Sequence, residues 1–388
     1  MHLHDRPRFP RGFRCASRNC GIKPAGRDLS LFASEVPATA AALFTRNHFP
    51  GAPILLGREL LRGGRLQGVV VNSKVSNVAT GARGVDDARR MGVAAARELG
   101  VDPGLVLVSS TGVIGRPLPI GKIEAGLQGM AGDLQEDPLV GAEGIMTTDT
   151  VPKAFSLSVG DATLTVVGKG AGMVAPNLAT MLVYFFTDAE VDARSLDRQL
   201  RQAARDSFQL LSIDTDTSTS DTVAILANGL AGPVADGAFG EALAFLSRRM
   251  AEAVARDGEG ATKLLRARVQ GAADEHEARI VARAIVESPL VKTMAYGADP
   301  NVGRLLMAVG KCVQCRILPG RVAIRLQGVS VVEGGQALPF DEGEVRSLLS
   351  GDPVEIQVEL GVGDGSATAL GCDLTEGYVA ENAAYASS

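Results

Sequence analysis

The chain has 388 residues, 46% of them hydrophobic and 21% charged, which are ordinary values for a globular protein. They exclude a wholly disordered, collagen-like or coiled-coil chain, and the length predicts two or three domains or one two-lobed unit. The net charge is −5, no long basic block occurs, and aromatic residues make up 4% of the chain. A nucleic-acid partner bound through phosphate contacts and base stacking is therefore not expected.

No apolar run approaches the ~18 residues that a membrane span needs, so no membrane partner is expected. The start of the chain is rich in arginine but lacks the apolar core of a secretory signal, and we interpret it as a mobile arm. The five cysteines are too few and too unevenly spaced for a disulfide framework, which favours a reducing, cytoplasmic location.

Short apolar or alternating runs predict strands, and amphipathic periodicity predicts helices. Strands are expected at 66–72, 105–109, 222–227, 264–270 and 321–326, with a hairpin over 154–167 that turns at Gly160. Helices are expected at 86–99, 189–211, 240–256, 276–288 and 302–310. Because hairpins and helices are mixed irregularly, the sequence predicts an α+β fold of layered mixed sheets, divided into two lobes near residues 180–215.

A glycine-rich segment, Gly168-Lys169-Gly170-Ala171-Gly172, follows the predicted hairpin. It misses the spacing of both common nucleotide-binding motifs, and Pro176 interrupts any helix that would follow. A structural glycine turn and a phosphate cradle both stay open at this point, with the cradle disfavoured.

Ala179-Thr180 places a small residue before a hydroxyl, between this glycine-rich segment and a strongly apolar run. The four histidines are poorly placed for a Ser-His-Asp type of triad. A break before Thr180 would create an α-amino group that can act as general base for the Thr180 hydroxyl. The alternative is an ordinary buried β-branched residue of a strand.

Two further segments have both a catalytic and a structural interpretation. Thr111-Gly112 follows a predicted strand and could supply a hydroxyl and an amide to a developing oxyanion, or form an ordinary turn. Asp214 begins a D-x-D-x-T pattern typical of Mg²⁺-dependent phosphotransferases, but the Ser- and Thr-rich continuation fits turns and caps. Cys312 and Cys315 lack a second Cys/His pair for zinc, so no metal site is expected there.

Taken together, these segments resemble the ornithine acetyltransferase family, also called glutamate N-acetyltransferase, over nearly the whole chain. The matching motifs occur in family order and include PRGF, STGVIGR, MTTDT, KGAGM-x-APN-x-ATML, DTDTSTSDT, DGEGATK and CDLTE-x-YV.

The resemblance implies self-cleavage between Ala179 and Thr180 into chains 1–179 and 180–388, with Thr180 as the amino-terminal nucleophile. It implies ping-pong transfer of acetyl from N2-acetyl-L-ornithine to L-glutamate, with acetyl-CoA as an additional donor in some members. The family shares an α/β sandwich-like fold, needs no metal or organic cofactor, and commonly forms heterotetramers of two cleaved precursors.

Each functional position of the family can be matched to a residue of this chain through the motif that contains it. Thr111 and Gly112 match the oxyanion-hole pair on the amino-terminal chain. The substrate-contacting positions correspond to Thr147, Lys169, Thr180, Glu259, Asn382 and Ser387. On this basis Lys169 is expected to bind a substrate carboxylate and Glu259 an ammonium group.

Two departures from the family pattern put the substrate preference in question. Residues 72–77, which include Lys74, replace a segment that usually contains Gly-Asn-Ala, and Val302 stands where the family usually has Trp. Related enzymes also serve secondary metabolism. The alternatives to acetyl transfer are an N-terminal-nucleophile hydrolase or aminopeptidase, a Mg²⁺-dependent phosphotransferase using Asp214, and a non-catalytic binding protein.

Overall fold

A computed structural model describes residues 1–175 and 181–384 of the chain. The strands are β1 (His2–Leu3), β2 (Phe13–Arg18), β3 (Leu29–Phe44), β4 (Arg65–Asn72), β5 (Val106–Ser110), β6 (Lys153–Val159), β7 (Ala162–Lys169), β8 (Leu182–Glu190), β9 (Leu211–Ser212), β10 (Thr222–Pro233), β11 (Leu264–Ala272), β12 (Ala323–Leu326), β13 (Val329–Glu333), β14 (Gln336–Ala337), β15 (Val354–Glu359) and β16 (Gly365–Cys372).

The helices are α1 (Ala52–Leu60), α2 (Gly81–Leu99), α3 (Ile120–Leu127), α4 (Pro138–Ile145), α5 (Ala193–Arg205), α6 (Asp236–Arg256), α7 (Glu275–Val286), α8 (Pro289–Tyr296), α9 (Val302–Gly310), α10 (Glu342–Leu349) and α11 (Glu376–Ala384). The chain divides into two compact units. In the described residues, the first unit comprises 1–170, 181–209 and 216–250, and the second comprises 171–175, 210–215 and 251–384.

The first unit is built on a mixed sheet whose strands, as far as they are described, run in the order β1-β6-β7-β8-β10-β3-β4-β5, with β2 paired to β3. Strand β8 is antiparallel to β7 and parallel to β10. Leu182 pairs with both Lys169 and Thr222, so the end of β7 and the starts of β8 and β10 form one row. Leu182 therefore enters the sheet next to Lys169.

The central strands of this sheet are covered on both faces, which explains their continuous apolar sequences. Residues 182–189 of β8 are all buried. On one face of the sheet, the Phe186 ring lies 5.3–5.4 Å, between ring centroids, from Phe9, Phe13 and Phe32. This aromatic cluster anchors the strand that Thr180 precedes by two residues.

The second unit has its own mixed sheet, ordered β14-β13-β12-β15-β11-β16-β9 within the described residues. Helix α7 packs on β11 and β16, and its buried face consists of Ala, Val and Ile side chains. The Asp274 carboxylate accepts the Glu277 amide and so caps the start of α7.

The α+β class with layered mixed sheets is confirmed, and so are all the predicted strands and the hairpin with Gly160 at positive φ. The helix predicted at 189–211 is shorter, because β8 continues to Glu190 and the Asp192 carboxylate caps the helix at Arg194 and Ser195. The second unit takes residues 210–215, at the end of the predicted range, but it also takes residues 171–175 and the chain after residue 250 within α6, which lie outside that range. Division into chains 1–179 and 180–388 stays a prediction.

In the part of the chain that the structure describes, no helix is long and apolar enough to cross a bilayer.

The aromatic cluster around Phe186 should contribute strongly to stability. We expect Phe186→Ala to lower the free energy of unfolding by about 3–5 kcal/mol, because it leaves a cavity among three rings. Phe49 is 73% exposed and supplies the control, since Phe49→Ala should cost less than about 0.5 kcal/mol. Denaturant titrations followed by circular dichroism measure both, and equal losses would contradict the assignment of this core.

Candidate active site

The oxyanion-type loop, defined here as Thr111–Gly112, leaves the end of β5 and is held against residues 72–74. The Thr111 amide donates to the Asn72 carbonyl oxygen at 3.0 Å, and the Val113 amide donates to the Lys74 carbonyl oxygen at 3.0 Å. Gly112 has φ +126°, and a Cβ there would lie 2.2 Å from the Lys74 carbonyl carbon. Only glycine fits this position without displacing the neighbouring backbone.

Asn72 makes the support of this loop rigid. It is fully buried, its side-chain amide donates to the Val75 carbonyl oxygen at 2.9 Å, and its side-chain oxygen accepts the Ser110 hydroxyl at 2.6 Å. Neither the Gly112 amide nor the Thr111 hydroxyl is engaged by another of the described residues. A fixed amide and hydroxyl at a strand end have the chemistry needed to stabilise an oxyanion.

Lys169 and Thr147, two of the predicted substrate-contacting residues, lie together in the first unit. The Lys169 ammonium donates to the Thr147 hydroxyl at 3.1 Å, and Lys169 is only 9% exposed. Lys169 is the last residue of β7 and pairs with Leu182, so it lies at the end of the sheet where β8 begins. A cation held here can bind an anionic substrate group.

Asp149 fixes the geometry of this region, although the sequence analysis did not identify it as a site residue. Its buried carboxylate accepts the Lys153 ammonium at 2.7 Å, the Gly170 amide at 2.7 Å and the Thr147 amide at 3.1 Å. Burial would raise the pKa of Asp149, but the charges of Lys153 and Lys169 and these hydrogen bonds lower it overall. One carboxylate thus ties the Thr147 loop to the end of β7.

Asp221 is a second buried acid that the sequence analysis did not identify. It lies just before β10, where the Thr222 amide donates to the Met181 carbonyl oxygen at 3.0 Å. One oxygen of its carboxyl has no hydrogen-bond partner among the described residues, and burial raises the pKa of Asp221 well above its usual value. Burial therefore favours the protonated form of Asp221 relative to an exposed carboxyl, at a position close to Met181, the residue that follows Thr180.

Glu259 and Asn382, the other described substrate-contacting positions, lie together in the second unit. The Asn382 side-chain amide donates to the Glu259 carboxylate at 2.7 Å, and Glu259 is only 8% exposed. Its backbone amide donates to the Ala171 carbonyl oxygen at 2.9 Å. A Cβ at Gly172 would lie 2.3 Å from the carboxylate, so the glycine permits this close approach.

The remaining motifs have structural roles in the described residues. The Asp214 carboxylate accepts the amides of Met173 and Val174, which favours the capping interpretation of its motif. The described residues contain no group of three or more His, Cys, Asp or Glu side chains arranged to hold a metal. Cys312 and Cys315 are free thiols, and burial raises the pKa of Cys315 to about 11.

Three of the predicted site residues, Ala179, Thr180 and Ser387, lie outside the described residues.

Comparison with known proteins gives consistent matches along the whole chain. The sequence model of the ArgJ family matches residues 14–387. "Arginine biosynthesis bifunctional protein ArgJ 2" of Nostoc sp. is 46% identical over 379 residues, which is 97% of each chain. "Glutamate N-acetyltransferase Oat2" of Streptomyces clavuligerus is 45% identical over 388 residues, which is 98% of each chain.

Among solved structures, the arginine biosynthesis bifunctional protein ArgJ of Bacillus halodurans is similar to this chain, with 39% identity and a TM-score of 0.50. The match covers 51% of this chain and 96% of that chain. The crystallised chain therefore spans about half the length of this one.

The buried Lys153–Asp149 pair should be essential for the stability of the first unit. We expect Lys153→Met to lower the free energy of unfolding by about 3–5 kcal/mol, because it leaves a buried carboxylate without its main counter-charge. The double variant Lys153→Met with Asp149→Asn should recover part of this loss. Chemical denaturation measures both variants.

The control for this prediction is Arg201→Met, which removes an exposed ion pair to Asp197. It should cost less than about 1 kcal/mol. If Lys153→Met is no more damaging than Arg201→Met, the role given to Asp149 is wrong.

Proposed function

The chain belongs to the ArgJ family, and from this premise we propose how its residues carry out acetyl transfer. It is an acetyltransferase that moves acetyl from N2-acetyl-L-ornithine to L-glutamate through an acetylated Thr180. The alignment of the end of β7 with the starts of β8 and β10 is the observation that supports the roles assigned to the residues of the site. Lys169 pairs with Leu182 at the start of β8, its ammonium donates to the Thr147 hydroxyl, and Thr180 precedes that strand by two residues.

We propose that maturation begins when the Thr180 hydroxyl oxygen attacks the Ala179 carbonyl carbon. The peptide C–N bond breaks, an ester C–O bond forms, and the hydroxyl proton passes to the nitrogen. Water then opens the ester, which leaves Ala179 as a carboxylate and Thr180 with a free amine. The half-length match of the solved ArgJ chain supports this scission.

In the first half-reaction, the Thr180 amine takes the proton of its own hydroxyl as the oxygen attacks the acetyl carbonyl of acetylornithine. The Thr111 hydroxyl and the Gly112 amide hold the negative charge that develops on the acetyl oxygen. Removing one such donor typically costs about 10²–10³ in kcat. Ornithine leaves with the proton on its amine, and acetyl-threonine ester remains.

In the second half-reaction, the amine of glutamate attacks this ester and leaves as N-acetylglutamate, which regenerates the Thr180 hydroxyl. Lys169, with Thr147, binds the carboxylate that both substrates share. Glu259, supported by Asn382, attracts the ammonium of ornithine, and Ser387 contributes to substrate binding. These roles follow from the charges of the side chains.

The cycle uses no metal or organic cofactor, and we propose acetyl-CoA as a second donor to be assayed beside acetylornithine. We also propose a cytoplasmic enzyme assembled from two cleaved precursors, with sedimentation velocity as the check on assembly. A hydrolase or aminopeptidase would share the self-cleavage but would release acetate or amino acids instead of N-acetylglutamate. A phosphotransferase using Asp214 would leave the chain intact.

The self-cleavage step predicts a simple result on a denaturing gel. The unmutated protein should run as two fragments, whereas Thr180→Ala should run as one uncut band, because the variant lacks the attacking hydroxyl. Thr180→Ser keeps a hydroxyl and serves as the control, which should still be cut. A single uncut band from the unmutated protein would exclude this maturation step.

Lys169 should contribute to binding more than to the chemical step. We expect Lys169→Met to raise KM for both acetylornithine and glutamate by about 10- to 100-fold, because both lose a charge-assisted hydrogen bond. Steady-state kinetics with each substrate varied in turn measures this. Unchanged KM values would remove Lys169 from substrate recognition.

A further inference from the structure

Lys74 adopts a backbone conformation that lysine rarely takes. Its φ is +81°, in the left-handed region that favours glycine because a Cβ there is crowded. Residues held in such conformations cluster at active sites and ligand clamps, where the surrounding structure compensates for the strain. A lysine at this position therefore suggests a role for its side chain.

The backbone of Lys74 is fixed directly beside the oxyanion-type loop. Its carbonyl oxygen accepts the Val113 amide at 3.0 Å, and its carbonyl carbon would lie 2.2 Å from a Cβ on Gly112. The half-buried Lys74 side chain thus begins next to the amide that is assigned to the acetyl oxygen.

The residue before Lys74 and the Lys169 side chain both form hydrogen bonds with one short loop, residues 144–147. The Ser73 hydroxyl donates to the Gly144 carbonyl oxygen at 2.9 Å, and the Lys169 ammonium donates to the Thr147 hydroxyl at 3.1 Å. Three residues of backbone separate these two attachment points, a span of at most about 11 Å. The residue before Lys74 and the Lys169 ammonium are therefore anchored to neighbouring positions of one loop.

A third lysine, Lys23, lies in the same region. The Lys23 ammonium donates to the Met146 carbonyl oxygen at 2.7 Å, inside the same stretch. Burial lowers the pKa of Lys23, and the charges of Lys169 and Lys74 lower it further, against the opposing effects of Asp28 and Asp149.

The two acids near Lys23 accept several other donors. Asp149 accepts the Lys153 ammonium at 2.7 Å. Asp28 accepts three backbone amides at 2.7–2.8 Å, those of Cys20, Ile22 and Lys23. Lys23, Lys74 and Lys169 thus bring three positive charges to the neighbourhood of residues 144–147, which suits the region to an anionic ligand.

We propose that Lys74 is a specificity-determining residue that binds the second carboxylate of a dicarboxylate acceptor. This inference rests on the proposed function, in which Lys169 takes the carboxylate that donor and acceptor share. Glutamate has another carboxylate at its far end, whereas acetylornithine has an ammonium there. Lys74 attracts this second carboxylate, so it favours glutamate over an acceptor whose far end carries no negative charge as the amine that attacks the acetyl-enzyme.

The test compares glutamate with glutamine, which has the same length but an uncharged end, as acceptors of acetyl from acetylornithine. Lys74→Met should lower kcat/KM for glutamate by about 10- to 100-fold and change that for glutamine by less than about threefold. Lys74→Arg keeps the charge and should retain most of the preference for glutamate.

Lys74→Gly separates the effect of charge from that of the backbone. Glycine suits φ +81°, so this variant should be at least as stable as the unmutated protein, yet lose the glutamate preference like Lys74→Met. An unchanged ratio of glutamate to glutamine in both variants would overturn the proposal. An equal fall for both acceptors would also overturn it, because Lys74 would then act only through the loop at Gly112.

The proposed function and this inference fail in different ways. If the unmutated protein is not cleaved or transfers no acetyl group, the proposed function is wrong. If it is cleaved and active, but the acceptor ratio is the same without the Lys74 charge, only this inference is wrong.

Discussion

The buried carboxylate of Asp149 is the constraint on which the rest of the first unit's site depends. It joins the Lys153 ammonium, the Gly170 amide and the Thr147 amide, at 2.7, 2.7 and 3.1 Å, and so fixes the end of β7 to the loop after α4. A buried charge is tolerated only when its partners are in place, so the loss of one partner would destabilise the whole arrangement. It keeps Lys169 positioned at the edge where β8 begins.

This edge brings together groups that are distant in sequence. The antiparallel pairing of β7 with β8 and the parallel pairing of β8 with β10 place Lys169, Leu182 and Thr222 in one row. Asp221 lies immediately before this row, and burial raises the pKa of its carboxyl.

The sequence alone predicted the strands and helices with clear periodicity, such as the hairpin over 154–167, together with the motifs around Thr111 and Lys169. It missed β3, whose mixture of Ala, Ser and Thr gives no clean alternation although it pairs with three neighbours. Asp149 and Asp221 were missed because their roles depend on burial and on tertiary contacts. Lys74 was noticed only as a departure from a family pattern, since its positive φ cannot be read from residue type.

The most direct measurement of the central claim is intact-protein mass spectrometry of the enzyme mixed with acetylornithine and no acceptor. The account predicts that the fragment beginning at Thr180 gains the mass of one acetyl group and loses it when glutamate is added. A fully active enzyme whose polypeptide is continuous through position 180, or whose acetyl group is carried elsewhere, would contradict it.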